Sequence, residues 1–174
     1  MILHLGVAPD QAHFSLERQA HRGGYDQHKD MEDHSLECED GPRYWPDLPD
    51  ELQTSLNFDD VYDTWRSNLL RTPDVSPELE RVVVRQSEDA GHFICDFMYY
   101  AMLAEYQKRR KDAQCAAEER PVIFLHIPGE GTAGHIKQGL VVTRILIRSL
   151  AECWMRRMEV YEETHDSPEQ SSDD

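Results

Sequence analysis

Cys95 and His126 are the two residues of this chain whose type and placement point most directly to chemistry. Cys95 stands in SEDAGHFICDFMYY (87–100), where a small-residue turn gives way to apolar residues at helical spacing. The thiol therefore falls in the first turns of a helix, where unpaired N–H groups and the helix dipole favour thiolate over thiol. His126 sits in VIFLHIP (122–128), an apolar run ended by proline that reads as a buried strand. In α/β sheets, sites gather beyond the C-terminal ends of strands. A Cys and a His within hydrogen-bond reach form a nucleophile and its base, and a carboxylate on the far ring nitrogen completes a triad. Spacing alone does not decide this. A helical Cys is more often a small core residue, and a strand-end His is usually a satisfied polar group. A second grouping exists among the nine histidines, five of which precede residue 35. His28, His34 and Cys38 would make a divalent-metal module, but their spacing matches no familiar zinc pattern.

The elements that must position these residues follow from periodicity. Residues 1–7, MILHLGV, read as a buried strand carrying His4, and 14–25 as an extended piece stopped by Gly23 and Gly24. From 26 to 50 the chain turns to His, Asp, Glu, Gly and Pro, the composition of a long loop that Tyr44 and Trp45 would pin. Val61, Trp65 and Leu69 recur at four-residue spacing, which predicts a helix over 60–70 with Asp59 as its cap, before Pro73 and Pro77 break the chain. Val82, Val83 and Val84 predict a buried strand, and the SEDAG that follows offers Ser87 or Asp89 as cap for the Cys95 helix. That helix places Phe93, Phe97, Ala101 and Ala104 on one face and ends at QKRRK, whose cations suit the negative end of the dipole. Gly139, Val142, Leu146, Leu150 and Cys153 share a face of a closing helix over 135–159. Strand, helix, strand, helix predicts an α/β sandwich over residues 1–160, followed by an acidic, unpacked tail over 161–174.

Composition limits the function classes. The 174 residues carry 18 basic against 34 acidic side chains, a net charge of −16, which disfavours nucleic acid and anionic lipid as partners. No apolar run reaches the ~20 residues that a bilayer requires, and MILHLGV has no basic flank or cleavage site, so the expected location is cytoplasmic. Four cysteines without a CxxC pair are then expected to stay reduced.

SEDAGHFICDFMYY followed by VIFLHIP resembles the pyroglutamyl peptidase I (pyrrolidone carboxyl peptidase) family of cysteine peptidases, with both motifs in the family's order and spacing. Upstream, HLGVAPDQAHFSLERQAHRGGY (4–25) resembles that family's strand, loop and catalytic-glutamate segment, in the manner of fungal members, and LPDELQTSL with DDVYDTW fits as well. The resemblance implies a three-layer α/β/α sandwich with a mixed sheet. It also implies hydrolysis of the bond after an N-terminal pyroglutamyl residue of a peptide, without metal or cofactor. It assigns the nucleophile to Cys95, the base to His126 and the orienting carboxylate to Glu17, with Phe93 and Ile94 as ring contacts. Family members begin with a further strand and a Phe-Gly-Pro-Phe type loop whose aromatics sandwich the pyrrolidone ring; the chain is expected to lack that segment. The alternative is a non-catalytic or truncated relative that keeps the triad residues without the pocket, its open sheet edge inviting a homo-oligomer.

Overall fold

Seven successive residues of strand, Val122–Pro128, form the middle of the sheet, and the topology is built around them. The structure is a computed structural model that describes residues 1–27, 29, 32–34, 40–72, 82–112, 120–129 and 131–165. In chain order its elements are β1 (Ile2–Ala8), β2 (Phe14–Glu17), β3 (Gln19–His21), α1 (Asp40–Tyr44), β4 (Glu51–Gln53), α2 (Phe58–Arg71), β5 (Val84–Ser87), α3 (Ile94–Asp112), β6 (Val122–Pro128) and α4 (Ala133–His165). A 3-10 turn, Tyr25–Gln27, follows β3. The main sheet has the order β1-β6-β2-β5, and β3 pairs with β4 in a separate two-stranded sheet.

Register decides which side chains share a face. β1 runs parallel to β6 from Ile2↔Val122 to Ala8↔Pro128, β2 lies antiparallel to β6 with Glu17 opposite Phe124, and β5 is parallel to β2. The sheet is thus mixed. Alternation along the strands sends Leu16, Ile123 and Leu125 to one face, where Val61 and Trp65 of α2 and Val142, Leu146 and Leu150 of α4 close a core. The Trp65 indole donates to the Val142 carbonyl at 3.2 Å and locks α2 to α4. The opposite face carries Val122 and Phe124 and is covered by Tyr99, Tyr100, Leu103 and Ala104 of α3, with Ala20, Trp45, Leu48 and Leu52 filling the far side of that helix. Helices on both faces of a mixed sheet make the three-layer α/β/α sandwich expected from the sequence.

Several local expectations change. β1 is an edge strand, not a buried one: among the described residues it pairs with β6 alone, and it leaves Leu5 and Val7 52% and 62% exposed. β5 begins only at Val84 and is the other edge, so the triple-valine run serves a single covered face, and Val83 is exposed. Asn57 caps α2, its side-chain carbonyl accepting from the Asp60 N–H at 3.4 Å; Asp59 instead binds Arg18 on the surface. Ser87 and Asp89 shape the turn before α3, with Gly91 N–H donating to Asp89 Oδ1 at 2.8 Å, and do not sit at the helix start. The covered face of α3 is rotated from the Phe93, Phe97, Ala101, Ala104 stripe, because the helix packs against both sheets; Phe93 is 45% exposed and Phe97 stacks at the rim against Tyr25 and Trp45. The 26–50 stretch contains α1 and buries Trp45 and Leu48, while Tyr44 is exposed. α4 continues to His165, past the expected end at Glu159, since no glycine or proline interrupts 160–165. No helix of the described residues is long and apolar enough to cross a membrane.

Candidate active site

Glu17, Phe124 and His126 meet on the α3 face of the sheet as a consequence of register. Glu17 stands opposite Phe124 in the antiparallel β2–β6 pair, and His126 lies two residues further along β6, on the same side of the pleat. Glu17 Oε1 is 2.8 Å from His126 Nδ1, and both side chains are buried. The carboxylate fixes the ring, leaving Nε2 as the nitrogen that can serve another group. Glu17 is itself held by α3, whose Tyr99 hydroxyl donates to the Glu17 carbonyl at 3.1 Å. Its second oxygen, Oε2, has no hydrogen-bond partner among the described residues.

Cys95 is the second residue of α3 and half-buried, and its thiol lies close enough to His126 to act on the imidazole. Burial by itself depresses the His126 imidazole, but the hydrogen bonds to Cys95 and Glu17 and the charges of both outweigh it, pushing the group up to about 9. Three residues separated by up to 109 positions in sequence thus form one line, a carboxylate hydrogen-bonded to an imidazole that in turn neighbours a thiol. Phe93 and Ile94, 45% and 55% exposed, stand immediately before Cys95 at the helix start.

Gly6 is the residue that sequence reasoning missed. It pairs with His126 across the parallel β1–β6 ladder, directly beneath the thiol. A β-carbon there would stand 2.7 Å from two Phe124 ring carbons and 2.9 Å from Cys95 Sγ, so only glycine lets α3 settle onto the sheet at this point. The signal was present: an isolated glycine inside an apolar strand marks a close approach.

A second cluster lies one residue from the thiol. The Asp96 carboxylate is fully buried, accepts from the His21 backbone N–H at 3.0 Å, and faces His21 Nδ1 at 3.1 Å and His92 Nδ1 at 3.6 Å. Burial pushes Asp96 up against the opposing pull of these contacts. Of the His28, His34 and Cys38 grouping weighed from the sequence, His34 is exposed, and His28 and Cys38 fall outside the described residues. A groove of about 390 Å³ between α2 and α4, lined by Asp60, Cys153 and Arg156, lies across the sheet from Cys95 and takes no part in the site.

No family model and no curated protein matches the chain. Its fold is similar to solved structures of pyrrolidone carboxyl peptidases. The enzyme from Thermus thermophilus superposes with a TM-score of 0.55 at 25% identity, over 86% of this chain and 67% of that one. The Thermococcus litoralis enzyme gives 0.60 at 15% identity, over 89% of this chain and 67% of that one, and the Pyrococcus furiosus enzyme 0.59 at 19%, over 87% and 69%. The chain spans about two thirds of the length of these enzymes. The α/β architecture is the one they share.

Proposed function

We propose that the chain is a cysteine peptidase of the pyrrolidone carboxyl peptidase type, hydrolysing the bond after an N-terminal pyroglutamyl residue of a peptide. The observation that carries this reading is the Glu17–His126–Cys95 line at the start of α3, on a fold similar to that of those peptidases. His126 takes the Cys95 proton, and the thiolate attacks the scissile carbonyl carbon. The tetrahedral oxyanion is met by backbone N–H groups at the first turn of α3, which have no intrahelical acceptors. His126 then gives its proton to the departing amine, leaving a thioester. A water that loses its proton to His126 cleaves the thioester, releasing pyroglutamate and restoring the thiol. Glu17 keeps the ring in the tautomer that presents Nε2 to the sulfur and stabilises the imidazolium. The exposed side chains of Phe93 and Ile94 supply apolar contact for a lactam ring that offers few polar handles.

The test is release of a fluorescent amine from a pyroglutamyl conjugate. Cys95→Ala and His126→Ala should abolish it and Glu17→Gln should leave partial activity, because an orienting carboxylate contributes less than nucleophile or base. Full activity in His126→Ala would overturn the mechanism. The exposed Leu5 and Val7 favour a second reading, a non-catalytic relative that acts by pairing through its β1 edge. That reading requires no turnover in the parent chain, so the same assay separates the two.

A further inference from the structure

We propose that His21, His92 and Asp96 form a binding site for a divalent transition cation of the zinc class, clamping β3 to the turn that leads into α3. One ligand atom from each residue lies within 4.8 Å of the other two. Zinc takes imidazole nitrogen and carboxylate oxygen at about 2.0–2.2 Å, so neighbouring ligands of a tetrahedral ion stand about 3.3 Å apart. Asp96 Oδ2 stands 3.1 Å from His21 Nδ1 and 3.6 Å from His92 Nδ1, on either side of that edge length. The two imidazole rings lie with centroids 4.4 Å apart and tilted by 41°, flanking the carboxylate rather than stacking away from it.

The surroundings fix this arrangement. Asp96 Oδ1 is occupied by the His21 backbone N–H at 3.0 Å, which orients the carboxylate and leaves Oδ2 to face both rings. His92 adopts a left-handed backbone, φ 48°, directly after Gly91 at φ 94°. Gly24, at φ 89°, leaves room for the His92 ring, since a β-carbon there would stand 2.8 Å from Nδ1. Asp96 is fully buried and the His21 side chain is 15% exposed, but that of His92 is 40% exposed, so a cation would enter from the His92 side, with water as a further ligand. His92 Nδ1 lies 3.0 Å from the Gly23 carbonyl and His21 Nδ1 contacts Asp96. Ligation moves each ring's proton to Nε2. Two nitrogens among three protein ligands suit zinc, cobalt or nickel and not magnesium or calcium. The set shares no residue with His28, His34 and Cys38.

The experiment titrates the full chain, stripped with a chelator and desalted, with Co²⁺ followed by visible absorption and with Zn²⁺ followed by calorimetry. One-site binding is expected, with intense d–d bands that Zn²⁺ displaces and a rise in Tm on adding Zn²⁺. His92→Asn keeps a residue that tolerates the left-handed backbone, and Asp96→Asn keeps the acceptor for the His21 N–H. Each should weaken Zn²⁺ binding by at least roughly tenfold and remove the Tm rise. Cys95→Ser and His34→Ala should bind as the parent does. Parent-like affinity in both His92→Asn and Asp96→Asn, loss of binding in Cys95→Ser, or no saturable binding by the parent would overturn the site.

Discussion

His126 holds its proton because two neighbours want it there. Its raised value, about 9 against an ordinary 6.5, has a consequence for stability whose sign is fixed. The folded state binds the proton more tightly than the unfolded chain, so the contribution is complete below about pH 6.5 and disappears as pH rises through about 9. A shift of that size corresponds to at most about 3 kcal/mol. Urea unfolding near pH 6 and near pH 10 should therefore show the parent losing stability on the alkaline side. Glu17→Gln, which removes the carboxylate 2.8 Å from Nδ1, should flatten the profile and lower the imidazole titration seen by NMR. An unchanged titration in Glu17→Gln would mean that the carboxylate does not govern the ring. Gly6 yields the second prediction at this scale. Gly6→Ala drives a methyl into the Phe124 ring and the Cys95 sulfur, and overpacking of this kind costs about 1–3 kcal/mol. Because Cys95 is one of the two groups displaced, turnover should fall by more than the loss of folded protein accounts for. Active-site titration of the folded fraction by thiol alkylation separates the two effects.

At the scale of elements, the cap of α2 offers a clean test of local sequence against tertiary context. Asn57→Ala should cost about 1 kcal/mol in thermal or chemical unfolding, as loss of an N-cap usually does, whereas Asp59→Ala should cost less, since it breaks exposed contacts with Arg18 and Gln86. Asp59 reads as the cap because it precedes the apolar periodicity, yet Phe58, already buried, pulls the helix start back by two residues. The same contrast explains what could be read from the sequence alone. β6 is legible to the residue because an apolar run bounded by proline and buried on both faces has one solution. β1 is equally apolar and the Val82–Val84 run leads into β5, but whether a strand is central or at an edge depends on which other strands arrive beside it, which no local window contains. The short β3 and β4, three residues each, exist because they pair with one another under α3, and neither has a periodicity of its own. The site divides in the same way. Cys95 and His126 are visible from helix start and strand end, and Glu17 only through family resemblance. Asp96 and His92, separated from His21 by more than seventy residues, come together only when β3 docks on α3.

Over the whole molecule, two opposed features set its behaviour in solution. The chain carries a net charge of −16, and like charge on that scale keeps copies apart. Against this stands the edge of β1, whose backbone groups pair on one side only among the described residues and whose Leu5 and Val7 point to the α4 face of the sheet in register with Leu125 and Ile127. At 52% and 62% exposure these side chains lie outside the cover that α4 gives Leu125, and Ile136 and Leu140 of α4 are exposed at 65% and 68%. An unpaired apolar strand edge templates association with another chain, and screening the charge removes what resists it. The chain should therefore shift toward dimers or larger species as protein concentration rises. The shift should be larger in about 0.5 M salt than at about 0.05 M, because the Debye length shortens from over 10 Å to under 5 Å. Leu5→Lys with Val7→Lys places cations on the edge, leaves the β6 register and the Glu17–His126 contact untouched, and should hold the chain monomeric at both salt concentrations. Sedimentation velocity of the two proteins across that range checks this. Association that weakens with salt would make the contact electrostatic in origin, and association that persists in the double variant would place it elsewhere.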